Sequence, residues 1–259
     1  VAAALCSGER RAVWLGALAL RHPAFADLRA LAAAIAELSG ATLGVLTEGG
    51  NAAGAYLAGA VPHREAGGRP ATRIGRTAGE MLRQTQKAYI LLGVEPWHDA
   101  LDPESLRTLA AAELVVAITP FASDQLRQVA HVMLPMGTFA ETSGTYVNYE
   151  GLWQSYAGAA MPVGEARPGW KILRVLGNLL GLDGFEYQTS EDVREELRRL
   201  CAETGTGEGR SAYRGAHRVN GTTPTGQVID VNMYQIDALV RRASSLQRTR
   251  EGRAAAVTY

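Results

Sequence analysis

Between Ala12 and Leu134 short apolar runs alternate with helical patterns, and this alternation restricts the fold more than any other feature. Ala12 to Leu18 (AVWLGAL) reads as a buried strand. Phe25 to Leu38 then places Leu28, Leu31, Ala32, Ile35 and Leu38 at helical spacing, and Gly40 is a plausible stop. Thr42 to Leu46 is the next strand, followed by the turn Glu48-Gly49-Gly50-Asn51 and a small-residue helix to about Gly59. A short helix over Thr77 to Thr85 leads into Ala88 to Gly93 (AYILLG), the pattern of a strand buried on both faces. Pro103 at a first turn opens a helix over Glu104 to Ala112, and Leu114 to Ile118 is again a strand. Ser123 or Asp124 caps a helix to about Val129, before a strand from His131 or Val132 to Leu134. Repeated strand–helix–strand units with short connections predict an α/β fold. Its sheet is expected to be largely parallel, Rossmann-like, with helices on both faces.

After Pro135 the apolar periodicity stops. The stretch to Gln154 is small, hydroxylated or amide-bearing, and a loop of that length without secondary structure usually forms a binding or interaction surface. Open α/β folds place their sites on loops at the carboxyl ends of parallel strands. Helical patterns then return. Trp170 to Leu180 is amphipathic and ends at Gly181. Thr189 or Ser190 caps a second helix, with Glu191 and Asp192 in its first turn and Arg198 and Arg199 near its end, an order that complements the helix dipole. From about Thr204 to Gly226 the chain is rich in Gly, Thr and Arg and reads as a mobile segment. A helical period resumes over Met233 to Leu246 through Ile236, Leu239 and Val240. The expected division is an α/β domain over residues 1–165, with the polar loop 135–165, and a helical extension over residues 166–259.

A net charge of zero excludes the strong field that gathers nucleic acid or anionic lipid. No apolar run approaches the roughly 18 residues of a membrane span. The Ala/Leu-rich start is broken by Glu9, Arg10 and Arg11, so no signal peptide is expected. Cys6 and Cys201 stand too far apart for a clustered zinc or iron–sulfur motif. The chain therefore reads as soluble and cytoplasmic, and its start at Val1 as the start of a portion of something longer. Among 26 basic residues only Lys87 and Lys171 are lysine, a bias typical of GC-rich bacterial genes.

Few motifs are sharp. Gly49, Gly50 and Asn51 sit where phosphate-binding turns occur, but Asn51 breaks G-x-G-x-x-G, and Ala55-Tyr56 replaces the Lys-Ser/Thr of a P-loop. A tight turn is the simpler reading. Trp97-His98-Asp99 has no nucleophile beside it, and His22, His63, His131 and His217 lack ligand spacing, so no metal site is expected. Asn220-Gly221-Thr222 matches a glycosylation sequon of no consequence in a cytoplasmic chain. Arg241, Arg242, Arg248, Arg250 and Arg253 form a solvated basic face or a contact with an acidic partner subunit.

The polar loop is more specific. Leu134-Pro135, Glu141, Gly144-Thr145, Asn148, Glu150-Gly151 and Gln154 occur in an order that resembles the molybdopterin oxidoreductase superfamily. Thr47 to Gly59, Pro62-His63-Arg64, Gly93 to Asp99 and Asp237 to Gln247 resemble one branch, the large peripheral-arm subunit of bacterial NADH-quinone oxidoreductase, respiratory complex I. The resemblance implies the molybdopterin-enzyme fold and a C-terminal portion of that large subunit. Iron–sulfur clusters would belong to the parent's N-terminal part, and other peripheral-arm subunits would be partners on the cytoplasmic side of the inner membrane. It implies no catalytic residue, metal or cofactor here. Glu141, Gly144, Thr145, Asn148, Glu150, Gly151 and Gln154, with the turn Gly49, Gly50 and Asn51, would be vestigial pterin-loop positions. Leu152 stands where active relatives often have Arg, which removes a phosphate partner, and no run of alternating strands marks the β-barrel of active enzymes.

Two functions from different classes follow. The chain is a scaffold for NADH-to-quinone electron transfer coupled to proton translocation, or it is part of an active molybdopterin-dependent oxidoreductase whose loop 135–154 binds the pterin dinucleotide. A generic nucleotide-binding module is a third reading, which a rise in melting temperature with added nucleotide would support.

Overall fold

The computed structural model describes residues 2–100, 104–206, 219 and 233–255. The first unit runs α1 (Ala2–Ser7), β1 (Ala12–Leu15), α2 (Ala17–Leu20), α3 (Phe25–Ser39), β2 (Thr42–Val45) and α4 (Ala52–Leu57). Then come α5 (Ala78–Arg83), β3 (Ala88–Leu92), α6 (Pro96–Asp99), α7 (Ser105–Ala110), β4 (Leu114–Thr119), α8 (Asp124–Val129) and β5 (Val132–Pro135). A hairpin of β6 (Gly144–Val147) and β7 (Trp153–Tyr156) precedes α9 (Gly169–Leu179) and α10 (Ser190–Thr204). The last helices are α11 (Met233–Ile236), α12 (Ser244–Gln247) and α13 (Arg250–Ala255). No helix among the described residues is long and apolar enough to cross a membrane.

The α/β class with parallel strands is as expected, but the strands divide between two parallel sheets. β1 pairs with β2, and β3, β4 and β5 pair in that order. In the first unit Gly40 ends α3 in the left-handed conformation, φ 68°, and takes up the Ala36 and Glu37 carbonyls. The face that α3 buries is Ala30, Ala32, Ala33, Ala36 and Ser39, while Leu31, Ile35 and Leu38 stay exposed. Small side chains let the helix lie close to its neighbours, so the larger apolar residues do not mark its buried face.

The core belongs to the second sheet. Tyr89, Leu91, Val115 and Ala117 project from one face onto Leu109 and Ala112, at the end of α7, and onto Leu126 and Val129 of α8. Burying each large aliphatic side chain stabilises by about 1.5–3 kcal/mol. Ser123 caps α8 by accepting from the Leu126 N–H, and Thr77 and Glu80 form a capping box at the start of α5. β3 departs from the expectation of burial on both faces: Ile90 is 54% and Leu92 41% exposed, alternating with buried Tyr89 and Leu91. An all-apolar run reports the chemistry of both faces and not what covers them. Pro103 lies outside the described residues; the helix after it spans only Ser105–Ala110.

The stretch expected to lack secondary structure has its own. Thr138 and Glu141 close a second capping box around a 3-10 turn, Phe139–Glu141. β6 and β7 then pair antiparallel, from Gly144↔Tyr156 to Val147↔Trp153. α9 matches its expected span within a residue at each end; α10 starts where expected, capped by Thr189 with Asp192, but runs on to Thr204, so Arg198 and Arg199 do not fall in its last turn. The single helical period expected over Met233 to Leu246 is broken into α11, a 3-10 turn Val240–Arg242 and α12. Most of the segment 204–226 lies outside the described residues.

Candidate functional site

The glycine turn before α4 and the polar loop are remote in sequence but meet in space. The Asn51 side-chain carbonyl accepts the Val147 N–H at 2.8 Å, fastening β6 to the N-terminus of α4. Gly49 takes φ 78°, which glycine tolerates without a Cβ penalty. Gly50 lies with its Cβ position 3.7 Å from the Tyr146 ring. Val147 is almost wholly buried beneath this junction.

Most polar groups of the loop turn back on the loop. The Glu141 carboxylate accepts from the Thr138 N–H at 2.7 Å and the Thr138 hydroxyl at 2.9 Å. Those bonds hold its carboxyl below the ordinary carboxylate range. Asn148 accepts from the Glu150 and Leu152 amides, both at 3.0 Å, an Asx turn that closes the hairpin. Gly151 completes the reversal at φ 82°. Thr145 and Ser155 share a hydroxyl contact across the strands at 2.9 Å. A Cβ on Gly144 would stand 2.8 Å from the Tyr156 hydroxyl, so any larger residue would displace that ring. Burial, then the hydrogen bond and charge interaction with the Tyr146 phenol, push the Tyr156 phenol up to about 12. Glu150 and Gln154 face solvent, and Leu152 is 56% exposed.

α10 fastens the hairpin from the other side. Ser190 meets Ser143 at 2.8 Å, Arg194 donates to the Ser155 hydroxyl at 2.8 Å, and the Arg198 guanidinium lies 5.2 Å from the Trp153 ring centre. Between α4, the hairpin, Trp170 and α10 remains a cavity of about 210 Å³. Sites that bury a drug-sized ligand typically enclose about 300–1,000 Å³.

A second polar cluster sits at the carboxyl ends of β3 and β4, where α/β sheets place ligands. Sequence reasoning missed it. Glu95 is buried, and its carboxylate accepts from Arg242 at 2.7 and 3.0 Å and from Arg241 at 3.1 Å. Asp99 takes Arg241 at 2.6 Å and the Glu95 N–H at 2.6 Å. The Arg242 guanidinium stacks 4.5 Å from the Phe121 ring centre. Burial alone raises the Glu95 pKa. Hydrogen bonds from Arg242 and Ser123, with both guanidinium charges, outweigh it, and the carboxyl titrates below its usual range. His98 is held below the usual histidine value by burial, then by the charge of Arg241. Arg241 and Arg242 are thus not a solvated face: the acid they meet is in their own chain. The signal was the pairing of a lone Glu after a strand with an Arg-Arg dipeptide far downstream. His131 also has a structural role, its Nδ1 accepting the Val115 N–H at 3.0 Å.

The sequence model of the molybdopterin oxidoreductases matches residues 2–179, more than half of the chain. The chain belongs to the molybdopterin oxidoreductase family. Within this family it is similar to the NADPH-Fe(3+) oxidoreductase subunit alpha of Geobacter sulfurreducens, 37% identical over 36% of this chain and 11% of that protein. It is 30% identical to the mitochondrial NADH-ubiquinone oxidoreductase 78 kDa subunit of Neurospora crassa, over 50% of this chain and 17% of that protein. A nitrate reductase of Symbiobacterium thermophilum is 29% identical over 56% of this chain and 20% of its own length. The chain therefore spans a fifth or less of each of these relatives.

Proposed function

We propose that the chain is a scaffold portion of the large peripheral-arm subunit of NADH-quinone oxidoreductase, without a redox centre of its own. In this reading it supports NADH-to-quinone electron transfer coupled to proton translocation, from the cytoplasmic face of the membrane and among the other peripheral-arm subunits. Iron–sulfur clusters belong to the parent's N-terminal part. The observation that carries the reading is the inward hydrogen bonding of Glu141, Asn148 and Asn51, which spends the family's polar loop on its own backbone. Buried and half-buried polar groups need partners, and here they find them without a ligand.

In this reading the loop holds no pterin dinucleotide. The cavity of about 210 Å³ lies below the usual size of a site for a drug-sized ligand, and Glu141, Asn148 and Asn51 are engaged with backbone amides. Similarity to the 78 kDa subunit supports the assignment to the respiratory branch. The test is to tag the full-length parent protein and purify it with its native partners. NADH-dependent quinone reduction should co-elute with it. A parent that elutes alone and reduces nitrate or oxidises formate would contradict the proposal.

A further inference from the structure

α11, α12 and α13 pack chiefly on one another, and their main helical contact with the body is α11 against α6. What fixes them is the cluster at the strand ends. Arg242 presents its planar fork to both Glu95 oxygens and its face to Phe121, while Arg241 bridges Glu95 and Asp99. Each element of the receiving side comes from the sheet's carboxyl edge: Glu95 and Asp99 after β3, and Phe121 and Ser123 after β4. Two carboxylates, one of them held by the Ser123 hydroxyl, and an aromatic face form a receptor matched to guanidinium, which binds carboxylate in bidentate fashion and stacks on rings. The Arg241 side chain is only 5% exposed, and its Nε has no partner among the described residues. With few other contacts to the body, α11, α12 and α13 depend on this cluster for their docking.

We infer that residues 233–255 are a detachable strap whose Arg241–Arg242 pair occupies, in cis, a guanidinium-binding site formed by Glu95, Asp99, Phe121 and Ser123. When the strap leaves, the same site takes an arginine-bearing peptide in trans. The inference rests on this cluster alone and stands apart from the scaffold reading.

Hydrogen exchange on the full chain tests it, comparing wild type with the Arg241→Gln/Arg242→Gln variant. Strap amides should exchange about tenfold faster or more in the variant, while amides of β3 and β4 keep their protection. The milder Arg242→Lys, which keeps the charge but loses the fork, should give the same split at smaller amplitude. A synthetic peptide of residues 233–255 should bind the double variant and not wild type, and adding Glu95→Gln should abolish that binding. Strap and sheet amides accelerating together, or no peptide binding to the double variant, would overturn the inference.

Discussion

Asn148 and Glu141 do with single side chains what a ligand would otherwise do for this loop. Asn148→Ala removes the acceptor of two backbone amides. It should cost about 1 kcal/mol, a fall in melting temperature of about 2–4 °C for a chain of this size. Thermal unfolding followed by circular dichroism checks it, and an unchanged melting temperature would show that Asn148 does not tie the hairpin. Glu141 adds a pH dependence. Its carboxyl is depressed by the Thr138 bonds, so its contribution is fully present above the ordinary value of 4.5 and fades as pH falls through the lowered one. Glu141→Gln should flatten that acid limb. His98 has the same sign for a different reason. Buried beside Arg241, with Glu95, Asp99 and Arg242 also facing it, it takes a proton less readily than a free histidine, and the undocked strap leaves it freer to take one. Docking is therefore favoured above the ordinary value of 6.5 and weakens as pH falls below it. Strap exchange measured across that range should lose most of this dependence in His98→Gln.

Elements were legible where their boundary chemistry was local. Gly40, the Thr189–Asp192 box and Ser123 sit in the sequence beside the helices they end or begin, and those helices appear where expected. The Thr138–Glu141 box carried the T-x-x-E signature of a cap inside the polar loop, but the missing apolar periodicity hid both it and the hairpin. The hairpin's stabilising contacts are with α4 and α10, remote in sequence, and no local pattern reports them. α3 failed differently: its alanine face is the buried one, and size alone pointed to the leucines. The Glu95–Arg242 contact was illegible because each partner, taken alone, reads as a surface charge. By contrast the α8 core contact is plain from spacing. Leu126→Ala should destabilise by about 2–5 kcal/mol, read from urea unfolding. A loss under about 1 kcal/mol would mean that α8 is not part of this core.

At the scale of the whole molecule, the family gives the fold and the loop's geometry gives the reading. Two parallel sheets, a hairpin clamped between α4 and α10, and helices docked on the strand ends surround the loop, which in the proposed reading serves as structure. The resemblance in residue order from Leu134 to Gln154 revealed the family before the structure did. It was silent on where those side chains point, because that depends on Asn51, Ser190 and Arg194. The central claim is that this loop persists without a pterin ligand. Metal and phosphorus analysis of the purified full-length parent tests it most directly. Iron without stoichiometric molybdenum or tungsten is the predicted result; either metal at one per chain, with matching pterin phosphorus, would contradict it.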